Sequence, residues 1–181
     1  TNPVNSSYVL GVTQNGCIAY DTVIVTLLPA AIATISASGP VSFCSGNSVT
    51  LNSDSVFTAY TWSNNLTTSH ITVTTSGTYT LTATEAQGCR YQSNTINVTA
   101  WPQPVLSLVS LNNETCNGFA NGSVVVNTTG GSGNYTYGWN FNPTLNSSTA
   151  SGLTGGSYSV TVTDANLCID SGTYTLTSPA P

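Results

Sequence analysis

The chain has 181 residues and is nearly uncharged: 4% of it is Asp, Glu, Lys or Arg, the net charge is -5, and Arg90 and His70 are its only basic side chains. Phosphate neutralisation needs clustered Lys or Arg, so this composition argues against nucleic-acid binding and against electrostatic attachment to anionic lipid. No run of about 18 apolar residues is present, so nothing in the sequence reads as a membrane-inserted helix. Ser, Thr, Asn and Gly supply the polarity, but nine Tyr, three Trp and regular Val/Ile/Leu alternation separate the chain from a disordered, mucin-like stalk.

In chain order, residues 1–30 read as the C-terminal hairpin of an incomplete domain. Tyr8, Leu10 and Val12 alternate as one strand. Gln14-Asn15-Gly16 makes the turn before Cys17, and Val23, Val25 and Leu27 alternate as the second strand. A lone hairpin is marginal in water, so its remaining strands are expected upstream or in a neighbouring molecule. Thr1 then begins mid-domain, and the chain reads as a segment of a longer one. Leu28-Pro29-Ala30-Ala31 is the first linker, because Pro cannot extend a ladder.

Residues 31–102 read as a complete domain, with strands around Val49-Thr50-Leu51, Tyr60-Thr61-Trp62, Ile71-Thr72-Val73, Tyr79 to Ala83, and Ile96 to Val98. Trp101-Pro102-Gln103-Pro104 is a second, stiff linker, with Trp101 either packed at the junction or an ordinary edge residue. Residues 103–181 repeat the plan: strands around Ser123 to Asn127, Tyr135-Tyr137-Trp139, Tyr158-Val160-Val162, and Tyr174-Leu176, then the linker Pro179-Ala180-Pro181. Short strands spaced by about 8 to 12 residues, split by Gly/Asn/Ser turns, predict an all-β chain of tandem Ig-like Greek-key β-sandwich domains in a linear array. One phrase carries the repeat: Gly77 to Cys89, Gly156 to Cys168 and, shortened, Tyr8 to Cys17.

Five cysteines fall at Cys17, Cys44, Cys89, Cys116 and Cys168. In each complete domain one cysteine precedes the second strand and one follows the penultimate strand. If those strands run antiparallel, both cysteines share a pole, which predicts the bridges Cys44–Cys89 and Cys116–Cys168. Cys17 holds the late position, so its partner is expected outside the segment. The absence of C-x-x-C and the remoteness of His70 disfavour zinc, and disulfides point to an oxidising, extracytoplasmic compartment.

No catalytic constellation stands out. His70 has no G-x-S-x-G elbow or orienting acid beside it in sequence, and reads as an exposed edge residue. The acids Asp21, Asp54, Glu85, Glu114, Asp164 and Asp170 form no D-x-D cluster. Glu85 and Asp164 share one slot before the repeated turn, where a side-chain oxygen caps the turn or contributes to a weak Ca²⁺ site. Gly130-Gly131-Ser132-Gly133 lacks the lysine and helix of a phosphate cradle. Trp62 and Trp139 read as core anchors, with sugar stacking the alternative. No enzyme and no cofactor are expected.

These residues resemble a known family. Cys116, Asn121-Gly122-Ser123, Gly130 to Tyr135, Trp139, Leu153, Gly156-Ser157-Tyr158 and Val162 to Cys168 are similar to the SprB-type repeat of Bacteroidetes surface adhesins. Leu167 stands where the pattern has Gly, which puts the turn type in question. Cys44, Tyr60 to Ser63, Gly77 to Tyr79 and Gly88-Cys89 resemble the related Ig-like/PKD-like repeats. The resemblance implies a structural or adhesive segment of a large protein exported by the type IX system, anchored at the outer membrane through other regions and used for adhesion or gliding. Its partners would be neighbouring repeats, surface glycans or other cell-surface proteins. It also implies O-glycosylation at Asp-[Ser/Thr]-apolar sites, here Thr22 and Ser55. Two alternatives remain: a carbohydrate- or protein-binding accessory module of a secreted enzyme, and a filament subunit completed by a neighbouring molecule.

Overall fold

A computed structural model describes residues 4–27 and 31–180. Every regular element in it is a strand, and the sheets are all-β as the alternation predicts. The expected linker at Leu28-Pro29-Ala30 lies outside the described residues, as does Pro181.

The first unit is the hairpin of β1 (Val4–Gln14) and β2 (Cys17–Leu27), paired in register from Val4↔Leu27 to Gln14↔Cys17. Asn15 and Gly16 both take positive φ, 50° and 85°. This is the two-residue type I′ turn whose twist suits a hairpin.

The second unit packs two layers. One is β3 (Ile35–Ala37), β5 (Val49–Ser53) and β7 (His70–Val73), ordered β3-β5-β7 and antiparallel. The other joins β6 (Ala59–Trp62), β8 (Gly77–Tyr79), β9 (Leu81–Thr84), β10 (Arg90–Gln92), β11 (Ile96–Trp101) and β4 (Ser42–Cys44). Here β9 lies between β6 and β10, while β11 lies between β8 and β4 and runs parallel to β4. Period-two alternation turns Val49, Leu51, Ile71, Val73, Leu81, Ala83 and Val98 inward around Trp62.

The third unit repeats this with fewer breaks. The first sheet is β12 (Pro104–Asn112), β13 (Gly122–Gly130) and β15 (Thr149–Leu153); the second is β14 (Thr136–Trp139), β16 (Gly156–Thr163) and β17 (Ile169–Leu176). Val124, Val126, Ala150, Leu153, Val160 and Leu176 pack around Trp139. Both tryptophans are 1% exposed. Each satisfies its indole N–H on a backbone carbonyl, Trp62 on Thr68 (2.8 Å) and Trp139 on Ser147 (2.9 Å). They are core anchors; neither ring face is available to stack on a sugar.

Each unit has two poles. In the third, Pro104 pairs with Gly130 at the N-terminal pole and Asn112 with Ser123 at the C-terminal pole. The nine residues of β12 at about 3.3 Å each separate those poles by about 27 Å.

Candidate functional site

The junction between the second and third units gathers the chain's most specific chemistry. Trp101 ends β11 and Pro104 begins β12, so only Pro102 and Gln103 connect them. Pro104 is fully buried. Trp101 pairs with Cys44 across the β11/β4 ladder, and its carbonyl accepts from Ser45 N (2.7 Å) and Ser45 Oγ (2.8 Å). It is the last residue of an edge ladder and also the seat of the junction. Gln103 binds both sides: its Nε2 donates to Ser45 O (2.8 Å), and its carbonyl accepts from Gly131 N (3.1 Å).

A disulfide closes the junction. Cys44 of the second unit is bonded to Cys168 of the third, with Cα atoms 5.6 Å apart. The expected pairs Cys44–Cys89 and Cys116–Cys168 are therefore corrected: Cys89 and Cys116 are free and exposed, as is Cys17. The reason is strand direction. β5 leaves the pole that holds Cys44 and ends near Thr34, whose carbonyl accepts from Asp54 N. β8 and β9 leave that same pole, where Ser76 Oγ donates to Ala100 O, and end toward Glu85 and Cys89. The second and penultimate strands thus run the same way, and their cysteines sit at opposite poles. The third unit behaves alike: Cys116 follows the C-terminal end of β12, and Cys168 lies by the N-terminal pole. A gap of about 27 Å forbids a bridge, which needs Cα atoms within about 7 Å.

Asp164 organises the third unit's side of the junction. It is buried. Its Oδ1 accepts from Asn166 N and Cys168 N (both 2.9 Å), and its Oδ2 from Ser132 N (2.8 Å). Burial alone would raise this carboxyl, but the hydrogen bonds from the Ser132, Cys168 and Asn166 amides and the Ser132 hydroxyl outweigh it and hold it below the usual range. Asn166 Nδ2 donates to Ser132 Oγ, and Ala165 N to Gly133 O (3.0 Å). The glycine loop therefore exists to wrap Asp164. A Cβ on Gly131, φ 58°, would stand 2.7 Å from Asp164 Oδ2. The sequence marks the loop and the acid separately; nothing local links residues so far apart in the chain.

Glu114 does the same at the opposite pole. It is buried, with Oε1 accepting from Ala120 N (3.0 Å) and Oε2 from Gly155 N (3.1 Å) and Ser178 Oγ. The Ser178 hydroxyl and the Ala120 amide lower its carboxyl against the opposing effect of burial. Sequence reasoning named Glu114 without a role; the one available signal is the scarcity of charge in this chain. Glu85, in the slot equivalent to Asp164, instead accepts from the Tyr91 hydroxyl (3.2 Å). Burial raises that tyrosine, and the backbone of Ala31 approaches it.

The remaining candidates stay apart. His70 is exposed in β7 and pairs with Asn52. Among the described residues, no group of three or more His, Cys, Asp or Glu could share a metal ion. Thr22 and Ser55 are both exposed, Thr22 on β2 with its amide donating to Asp21 Oδ1 (2.9 Å). Among the described residues, no helix is long and apolar enough to cross a membrane.

Comparison with known proteins fits this geometry. The SprB repeat family model matches residues 108–144, from β12 through β14 to the loop after Trp139. No curated protein matches. Among solved structures, the C-terminal 282-residue fragment of intimin, in complex with the intimin-binding domain of its translocated receptor, is 14% identical with a TM-score of 0.50; the match covers 81% of this chain and 64% of that one. The N-terminal eight Ig domains of Down syndrome cell adhesion molecule are 10% identical with a TM-score of 0.55, covering 97% of this chain and 31% of that one. The chain thus spans 64% and 31% of the length of these two neighbours, and at such identities the likeness is one of fold. The third unit thus matches an SprB repeat over residues 108–144, and the sheets share the Ig-like β-sandwich fold of these neighbours.

Proposed function

We propose that the chain is a stretch of stalk from a large secreted bacterial cell-surface protein, holding an adhesive or gliding surface away from the outer membrane. The observation that carries this reading is the junction: a two-residue linker and the Cys44–Cys168 bridge join successive units end to end. Short linkers and covalent closure suit a projecting rod better than a flexible tether. The SprB repeat supports a cell-surface location, and the disulfide fits an oxidising compartment. Type IX export and outer-membrane anchoring belong to this proposal, as do O-linked sugars on the exposed Thr22 and Ser55. Neighbouring repeats are its nearest partners, with surface glycans or other surface proteins beyond them. Its chemistry is structural rather than catalytic.

The test is antibody against residues 31–180 applied to intact cells that make the protein. Labelling of unbroken cells with reduced attachment or gliding is expected; labelling confined to broken cells overturns the proposal. One observation favours a second reading, the filament subunit. Tyr8, Leu10, Val12, Val23 and Val25 of the first hairpin are all exposed, and they share the face that Val160 and Val162 bury in the third unit. Strands from a neighbouring molecule would cover that face. Concentration-dependent assembly lost in L10D, with the later units still folded, would favour this reading over the stalk.

A further inference from the structure

The internal junction is built from two local turns, and each turn recurs at a pole that holds a free thiol. On the C-terminal side, Cys44 opens a turn in which Asn47 N donates to Cys44 O (3.1 Å) and Gly46 takes φ 96°. Cys116 opens the same turn: Phe119 N donates to Cys116 O (3.1 Å) and Gly118 takes φ 82°. Each is the type II arrangement that needs Gly at its third position. On the N-terminal side, Cys168 follows Leu167 in the left-handed region, and Asp164 N donates to Cys168 O (2.9 Å). Cys89 follows Gly88, φ 85°, and Glu85 N donates to Cys89 O (2.9 Å). Cys17 follows Gly16 in the shortened copy.

The linkers match as well: Pro179-Ala180-Pro181 repeats Pro102-Gln103-Pro104. Cys116 shares its loop with Glu114, which holds Ser178 just ahead of that motif. Cys89 adjoins Tyr91, which meets Ala31 at the start of the second unit. Phe119, 68% exposed beside Cys116, leaves an apolar ring at the pole for a partner to cover.

We infer that Cys116 and Cys89 are open halves of the clamp already closed at Cys44–Cys168, and that the bridging rule is polar: a C-terminal-pole cysteine pairs with the N-terminal-pole cysteine of another repeat of this kind. The pole around Cys116 and Phe119 is thus a docking surface for the N-terminal pole of such a repeat. Bridges between like poles do not form, because only unlike poles present complementary turns. Closure proceeds by exchange with a disulfide oxidant such as glutathione disulfide. The Cys116 thiolate attacks one of its sulfurs and expels one glutathione thiolate; the thiolate of Cys89 in a second copy then attacks the Cys116 sulfur and expels the other. Two protein thiols lose two protons and two electrons, and one glutathione disulfide becomes two glutathione thiols.

The whole 181-residue chain tests this. Concentrated protein with its internal bridge intact is held in a glutathione redox buffer, then resolved without reductant and mapped by mass spectrometry. The expected product is a covalent ladder whose cross-links join Cys116 to Cys89 or Cys17. C116S should abolish the ladder, whereas C89S should leave it running through Cys17. Cys116–Cys116, Cys89–Cys89 or Cys17–Cys89 links at comparable abundance overturn the rule, as does a ladder that persists in C116S or fails to form in the unaltered chain. The inference rests on the junction geometry and not on an adhesive role, so its failure leaves the stalk reading standing.

Discussion

Leu167 shows how a single residue can keep a fold's geometry at a local cost. It holds φ 64° where the equivalent positions carry Gly88 and Gly16, and its side chain is 79% exposed. Its doubt about turn type is resolved, since the Leu167 N to Asp164 O bond (3.1 Å) repeats that of Gly88 N to Glu85 O (2.9 Å). The left-handed region costs a side-chain-bearing residue about 1–2 kcal/mol, and an exposed Leu gains little burial in return. L167G should therefore stabilise the third unit by about 1 kcal/mol in chemical denaturation; a loss of stability would show that Leu167 makes a contact the turn needs. Asp164 sets a pH dependence. Its folded carboxyl lies below its unfolded value, so its contribution is present above the unfolded value, near 4, and fades as pH falls through the folded one. Acid melts should lower the third unit's Tm over that window, and D164N should start lower with a flatter acid limb. A D164N profile as steep as the parent's would move the dependence elsewhere, to Glu114, which is lowered in the same direction.

Among elements, the strands were legible and their cross-connections were not. Alternation alone places Leu51, Trp62, Leu81, Trp139 and Val160 inward, because a pleated strand has only two faces. The relative direction of β5 and β9 is a different matter. They belong to different sheets, and the crossovers between sheets decide their direction. The cysteine spacing therefore put each cysteine at a strand end, but the antiparallel assumption placed both at one pole, where the structure sets them at opposite poles. The glycine loop after β13 was legible as a loop, but its purpose was not, since Asp164 arrives from another hairpin. The loop separates two effects of adding a methyl group. Gly133 has φ 71° and open space, whereas a Cβ added to Gly131, φ 58°, would stand 2.7 Å from Asp164 Oδ2 and 3.1 Å from Pro104 N. G133A should cost about 1 kcal/mol from backbone strain. G131A should cost clearly more and also loosen the junction; equal costs would mean the loop yields freely around Asp164.

For the whole molecule, one basic residue gives a direct test of connectivity. Arg90 is the sole tryptic site, as the chain has no Lys. It sits in the β10 ladder paired with Thr84, so the folded chain should resist cleavage. Cleaved after unfolding with its disulfide kept, the chain yields 1–90, which holds Cys44, and 91–181, which holds Cys168. The two pieces should migrate together until reductant is added. If they part without reductant, the bridge lies within a unit and the junction clamp is wrong.

The span of that bridge bears on how the chain answers tension. Its two cysteines are 124 residues apart in sequence, which at about 3.5 Å per residue is about 430 Å of contour withheld from any pull on the ends. Force entering at one end passes through the sulfur atoms and bypasses the backbone that carries Trp62 and Trp139, leaving, of the second and third units, only β3 and β4 before Cys44 and β17 after Cys168 in its path. Cys116 lies inside this loop and Cys89 does as well. Where each also bridges to an adjoining repeat, successive loops interleave and no stretch of backbone lies outside one. Such a stalk behaves as a tether of fixed length under oxidising conditions, and becomes extensible only once its thiols are freed.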